Sequence, residues 1–159
     1  MKPIVVIGDG NVAEELREIL KVEGYRVHSY FRTTKHSRGN FVSFLNKHKA
    51  RAVGVCISNQ DTEGQAELQY LLDALKLGIP VVTCAKCAVA YHGSVLRPFK
   101  HLLGCSASVG GGTGILRQLD WRRASWRHQK VEILASINGS LNLLGAVAVR
   151  KRLESECGG

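Results

Sequence analysis

The sequence has no apolar run that approaches the roughly 20 residues needed to cross a bilayer. The longest candidate, residues 139–149, is too short and carries Asn142. The amino terminus lacks a secretory leader as well. One lysine and the four apolar residues Ile4-Val5-Val6-Ile7 precede Gly8, too few for a leader's hydrophobic region. Together these absences point to a cytoplasmic protein with no membrane association. Acidic residues are missing altogether between Gly24 and Gln60, a stretch that holds Arg26, Arg32, Lys35, Arg38, Lys47, Lys49 and Arg51. There is no internal repeat, and no low-complexity segment beyond Gly110-Gly111-Gly112.

What is present fits one globular domain. The chain has 159 residues, of which 45% are hydrophobic and 22% charged, which excludes global disorder. Its net charge of +9 favours anionic partners: nucleic acid, phosphate-bearing cofactors or anionic membranes. The five cysteines, an odd number without a leader, read as reduced thiols rather than a disulfide framework.

The hydrophobic pattern predicts a strand at residues 4–7, then a glycine turn, then a helix with Val12, Leu16, Ile19 and Leu20 on one face. Gly24 stops this helix. Further strands are expected at 25–30, 52–57, 80–83 and 101–106, with helices at 41–48, after Asp61-Thr62, and at 88–96 before Pro98. Thr62 and Gln65 have capping-box spacing. Residues 33–40 read as a polar loop, 115–119 as a helical turn, 131–137 as a strand and 140–152 as a helix. The alternation implies an α/β fold, a Rossmann-type doubly wound parallel sheet with a C-terminal strand–helix extension. The expected division is a dinucleotide-binding domain over 1–130 and the extension over 131–159.

Gly8-x-Gly10-x-x-Ala13, between a strand and a helix, matches the dinucleotide fingerprint. The first glycine permits the tight turn, the second lets backbone approach a pyrophosphate, and the small third residue lets helix pack on strand. Asn11 and Val12 open the helix, whose N-terminus attracts the anion. The other reading of these residues is a tight turn with no ligand. An NAD site carries a carboxylate about 20 residues further on. Here that position offers His28 to Arg32 and no acid. Arg32, Lys35 and Arg38 suit a 2′-phosphate, so NADP is expected over NAD, unless these cations only solvate a loop. Ser58, after the third strand, completes the expected cofactor contacts.

Three later segments resemble homoserine dehydrogenases, in the family's order. Val81-Val82-Thr83-Cys84-Ala85-Lys86 resembles the family's VVTANK segment, residues 107–112 resemble ASVGGG, and residues 137–142 resemble LNGTTN. The chain departs from these patterns at Ala85, Ser106, Gly114 and Leu141. The resemblance implies an oxidoreductase of amino-acid biosynthesis that interconverts L-homoserine and L-aspartate 4-semialdehyde. It assigns Lys86 to the substrate as the catalytic residue. Thr83 goes to the nicotinamide ribose, and Ser108, Gly110 and Gly111 to the nicotinamide and substrate side. It further implies that 131–159 begins a substrate and dimerisation domain, completed by a homodimer or a partner subunit.

Other readings stay open at this point. The alternative reading is a catalytically inactive NADP(H)-binding or sensing module. Trp121-Arg122-Arg123-Ala124-Ser125-Trp126-Arg127-His128 interleaves aromatics with cations, as a basic nucleic-acid-associated protein on a Rossmann scaffold would. Cys84-x-x-Cys87 is a lone pair, short of the four ligands of a structural zinc, and no histidine spacing suggests a metal. No metal site is expected.

Overall fold

The computed structural model describes residues 3–31, 40–57 and 63–115. Five strands, β1 (Ile4–Ile7), β2 (Val27–Tyr30), β3 (Ala52–Val55), β4 (Val81–Thr83) and β5 (Leu103–Gly104), form one parallel sheet in the order β2-β1-β3-β4-β5. Four helices connect them: α1 (Asn11–Val22), α2 (Phe41–His48), α3 (Gln65–Lys76) and α4 (Lys86–Leu96). This is the expected doubly wound α/β fold. The chain leaves β1 in one direction and β3 in the other, so right-handed crossovers put α1 on one face and α2, α3 and α4 on the opposite face. Accordingly α2 packs on α3 and α3 on α4, while α1 lies over β1, β2 and β3.

The central strands are buried because both faces are covered. Val5, Val6, Ile7, Val53 and Val55 are essentially inaccessible. Tyr30, Phe41, Phe44 and Tyr70 close the α2–α3 side with edge-to-face ring contacts at 4.9–6.0 Å. At the nearby edge the His28 and His48 rings stand 4.1 Å apart. Burial and the neighbouring His48 and Arg26 charges lower the pKa of His28.

Several boundaries differ from the sequence expectations, each for a local reason. β2 starts at Val27 rather than Tyr25, because the Tyr25 amide still bonds to the Leu20 carbonyl at 2.9 Å and closes α1 around Gly24. The Thr62–Gln65 capping box does not form. Gln65 is the first residue of α3 and its N-cap is Gly64, at φ +81. A Cβ on Gly64 would lie 2.3 Å from the Ala88 amide nitrogen, so glycine lets α3 start directly against α4. α4 begins at Lys86, two residues earlier than expected, and kinks at His92 (φ −121°, ψ 24°). β5 is two residues long, since the chain turns into a 3-10 helix at Ser106–Ser108.

The apolar stripe of α1 is also rotated. Val12 and Ile19 are 59% and 51% exposed, whereas Ala13 is fully buried and Leu16 reaches over Gly54 of β3. Ala13 must face Gly8 for the turn to close, which carries Val12 and Ile19 outward. The same face of the sheet leaves Val82 of β4 57% exposed, because α1 covers only the first three strands of the order. The 131–159 extension, the 33–39 loop and the 121–128 segment lie outside the described residues.

Candidate functional site

In an open α/β sheet, ligands bind beyond the carboxyl ends of the strands where the winding direction reverses. Here that point lies between β1 and β3. The residue leaving β1 is Gly8 and the residue leaving β3 is Cys56. Gly8 has φ +126°, and a Cβ there would lie 2.4 Å from the Cys56 carbonyl oxygen and 3.2 Å from the Ala13 Cβ. Glycine is therefore demanded by the chain's own atoms. Gly10 differs. It is the N-cap of α1 in ordinary extended conformation (φ −87°, ψ 172°), and a Cβ there would meet nothing within 4 Å.

The N-terminus of α1 has no side-chain cap. Gly10 offers only its carbonyl, which accepts from the Ala13 and Glu14 amides at 2.9 and 3.1 Å. Exposed Asn11 and Val12 form the first turn. Such a terminus presents amide donors and a partial positive charge to an anion.

Arg17 is the residue that sequence reading missed. Its guanidinium donates to the Gly8 carbonyl and lies 5.1 Å from the centroid of the Phe31 ring. Its Nε is buried without a hydrogen-bond partner. This cation thus spans from the glycine turn to the end of β2. The available signal was its position on the second turn of α1, one turn beyond Ala13 on the buried side.

At the end of β4, Thr83 is buried. Its hydroxyl donates to the Val55 carbonyl at 3.2 Å and accepts from the Ala85 amide at 3.0 Å. It ties β4 to β3 and turns the chain into α4. Lys86, the first residue of α4, is exposed. Ser108 is buried, its hydroxyl donating to the Cys105 carbonyl at 2.7 Å. Gly110 and Gly111 take positive φ values of 67° and 56°, which lets the chain form a second 3-10 turn, Gly111–Thr113. The fold thus gathers Gly8, Gly10, Asn11, Val12, Thr83, Lys86, Ser108, Gly110 and Gly111 along the carboxyl edge of one sheet. Arg32, Lys35, Arg38 and Ser58 lie outside the described residues.

Cys56 and Cys84 leave neighbouring strands side by side, and the Cys84 thiol donates to the Val55 carbonyl at 3.8 Å. The neighbouring Cys56 thiol brings the Cys84 thiol down to about 6, helped by local backbone and the Lys86 charge and opposed by burial, while Cys84 and burial hold the proton of Cys56 on. Among the described residues, no group of three or more His, Cys, Asp or Glu is placed to hold a metal ion. No helix among them is long and apolar enough to cross a membrane.

No protein-family model matches the chain, and no curated protein matches it either. Solved structures do. Homoserine dehydrogenase from Thermoplasma acidophilum aligns with a TM-score of 0.54 at 18% identity, over 77% of this chain and 48% of that one. S. aureus homoserine dehydrogenase aligns at 0.50 and 16% identity, over 68% of this chain and 34% of that one. The chain therefore spans about half and about a third of the lengths of these two enzymes. At such identities the likeness shows the architecture alone: the chain has a Rossmann-like α/β fold, similar to that of these two enzymes.

Proposed function

We propose that the chain binds a nicotinamide dinucleotide across the carboxyl ends of β1 and β3, and is the cofactor-binding part of a homoserine dehydrogenase-type oxidoreductase. The observation that carries this reading is the contrast between the two glycines. Gly8 is explained by the chain's own packing. Gly10 has an allowed backbone and a Cβ there would meet no described atom within 4 Å, so packing among the described residues does not account for its lack of a side chain. A pyrophosphate approaching the uncapped α1 terminus would account for it.

The residues fit the group. The Asn11 and Val12 amides would hold the pyrophosphate, with the Arg17 charge beneath the turn. NADP is the preferred form, because Arg32, Lys35 and Arg38 follow β2 where an NAD site carries an acid. Ser58, which follows β3 in the sequence, would add to the cofactor contacts. Bound there, the nicotinamide supplies hydride exchange with the substrate carbon. Gly110 and Gly111 would border the space for that ring, with Thr83 and Ser108 buried behind it. The exposed Lys86 ammonium polarises the carbonyl of L-aspartate 4-semialdehyde and moves the proton of the homoserine hydroxyl.

Titration with NADPH and NADH, followed by nicotinamide fluorescence, tests the site. Binding of NADPH tighter than NADH is expected. Absence of binding by both overturns the reading, and equal binding removes the preference for NADP. Homoserine-dependent reduction of NADP that disappears in Lys86→Ala is the result expected for the reaction.

A further inference from the structure

Four of the five cysteines are described, all as free, partly accessible thiols. Two of them form a pair that the dinucleotide reading does not use. The register pairs Val55 of β3 with Thr83 of β4, so the next residues, Cys56 and Cys84, emerge alongside each other. The Cys84 amide bonds to the Val55 carbonyl at 3.3 Å, and its sulfur lies 3.8 Å from the same oxygen. The Cys56 amide bonds to the Ile7 carbonyl at 2.9 Å. Both backbones are thus pinned with the two residues side by side on adjacent strands. Opposed positions on adjacent strands fall within the Cα separations that disulfides span.

We propose that Cys56 and Cys84 are a dithiol site that reacts with hydroperoxides and closes to a disulfide. Cys84 is the attacking sulfur, since its thiolate is the favoured form of the pair and the α4 N-terminus lies immediately beyond it. Its thiolate attacks one peroxide oxygen and the O–O bond breaks. The departing oxygen leaves as an alcohol, or as water from hydrogen peroxide, taking up a proton. Cys84 is then a sulfenic acid. The Cys56 sulfur displaces hydroxide from it, an S–S bond forms, and the Cys56 proton leaves with that hydroxide as water. Two electrons pass from the thiols to one peroxide. The new bond bridges β3 and β4 beneath the glycine turn, because the Cys56 carbonyl lies against Gly8. This site stands apart from the dinucleotide reading and is measured without any nucleotide.

The test is oxidation of the reduced full chain with hydrogen peroxide, followed by intact mass, thiol titration and tryptic mapping. Cleavage after Arg51, Lys76 and Lys86 places Cys56, Cys84 and Cys87 on three separate peptides. The expected product has lost two hydrogens, its titratable thiols fall from five to three, and the Cys56 and Cys84 peptides are joined. Cys56→Ser is expected to accumulate a sulfenic acid at Cys84, trapped by dimedone, and Cys87→Ser to leave the link intact. A product joining Cys84 to Cys87, or unchanged mass in the wild-type chain, overturns the proposal.

Discussion

Gly8 and Cys56 meet backbone to backbone, so closely that a Cβ on Gly8 would sit 2.4 Å from the Cys56 carbonyl oxygen. A Cβ on Gly10, two residues on, would meet no described atom within 4 Å. The two glycines of one motif therefore answer to different demands. Gly8→Ala is expected to lower stability by about 3 kcal/mol, from positive-φ strain together with overpacking. Gly10→Ala is expected to cost at most about 1 kcal/mol, the difference between a glycine and an alanine cap. Urea unfolding midpoints measure both.

The same Gly10→Ala variant is expected to weaken NADPH binding about tenfold or more, equivalent to about 1.4 kcal/mol. A methyl at the cap occupies the space into which a pyrophosphate must come. Fluorescence titration of the folded variant checks this. Unchanged affinity would remove the observation on which the cofactor reading rests.

Arg32→Ala is expected to weaken NADPH binding about tenfold and to leave NADH within about twofold. Only NADPH carries the 2′-phosphate that a guanidinium holds. Parallel losses for both nucleotides would show a general charge effect instead.

Lys86→Ala touches an exposed side chain and is expected to change stability by no more than about 0.5 kcal/mol. NADPH affinity is expected to hold, while homoserine-dependent turnover falls by about 10²–10⁴. Stopped assays with matched binding measurements separate these effects.

His28 predicts a pH dependence. Its folded-state pKa lies below the ordinary 6.5, so folding favours the neutral ring. Its contribution is complete above pH 6.5. As pH falls below that value the unfolded chain takes up the proton first, and stability declines towards the folded-state pKa. The melting temperature is expected to drop between pH 7 and 5, and less steeply in His28→Gln. Parallel curves would exclude His28 as a source.

Much of the sheet was legible because its signals are local. Ile4–Ile7 is apolar without alternation, as a two-face-buried strand must be, and Phe41–His48 has the spacing of a helix bounded as found. The rest depended on tertiary contacts. Gly64 begins α3 because α4 presses on it, and Ala13 turns α1 because Gly8 lies beneath it. Arg17 reads as a surface cation in one dimension and is a support of the glycine turn in three. The Cys56–Cys84 juxtaposition brings together residues 28 positions apart and follows only from the strand register.

The central place of β1 has a consequence for synthesis. Ile7 pairs with Tyr30 on one side and with Val55 on the other. As the chain leaves the ribosome, β2 follows closely, but β3 arrives only after about 25 further residues, roughly 1–5 s later. During that interval β1, the most apolar of the described strands, exposes one unpaired edge. The nascent β1–β2 pair is then the stage at which this chain is most open to wrong partners, and a holding chaperone would act there.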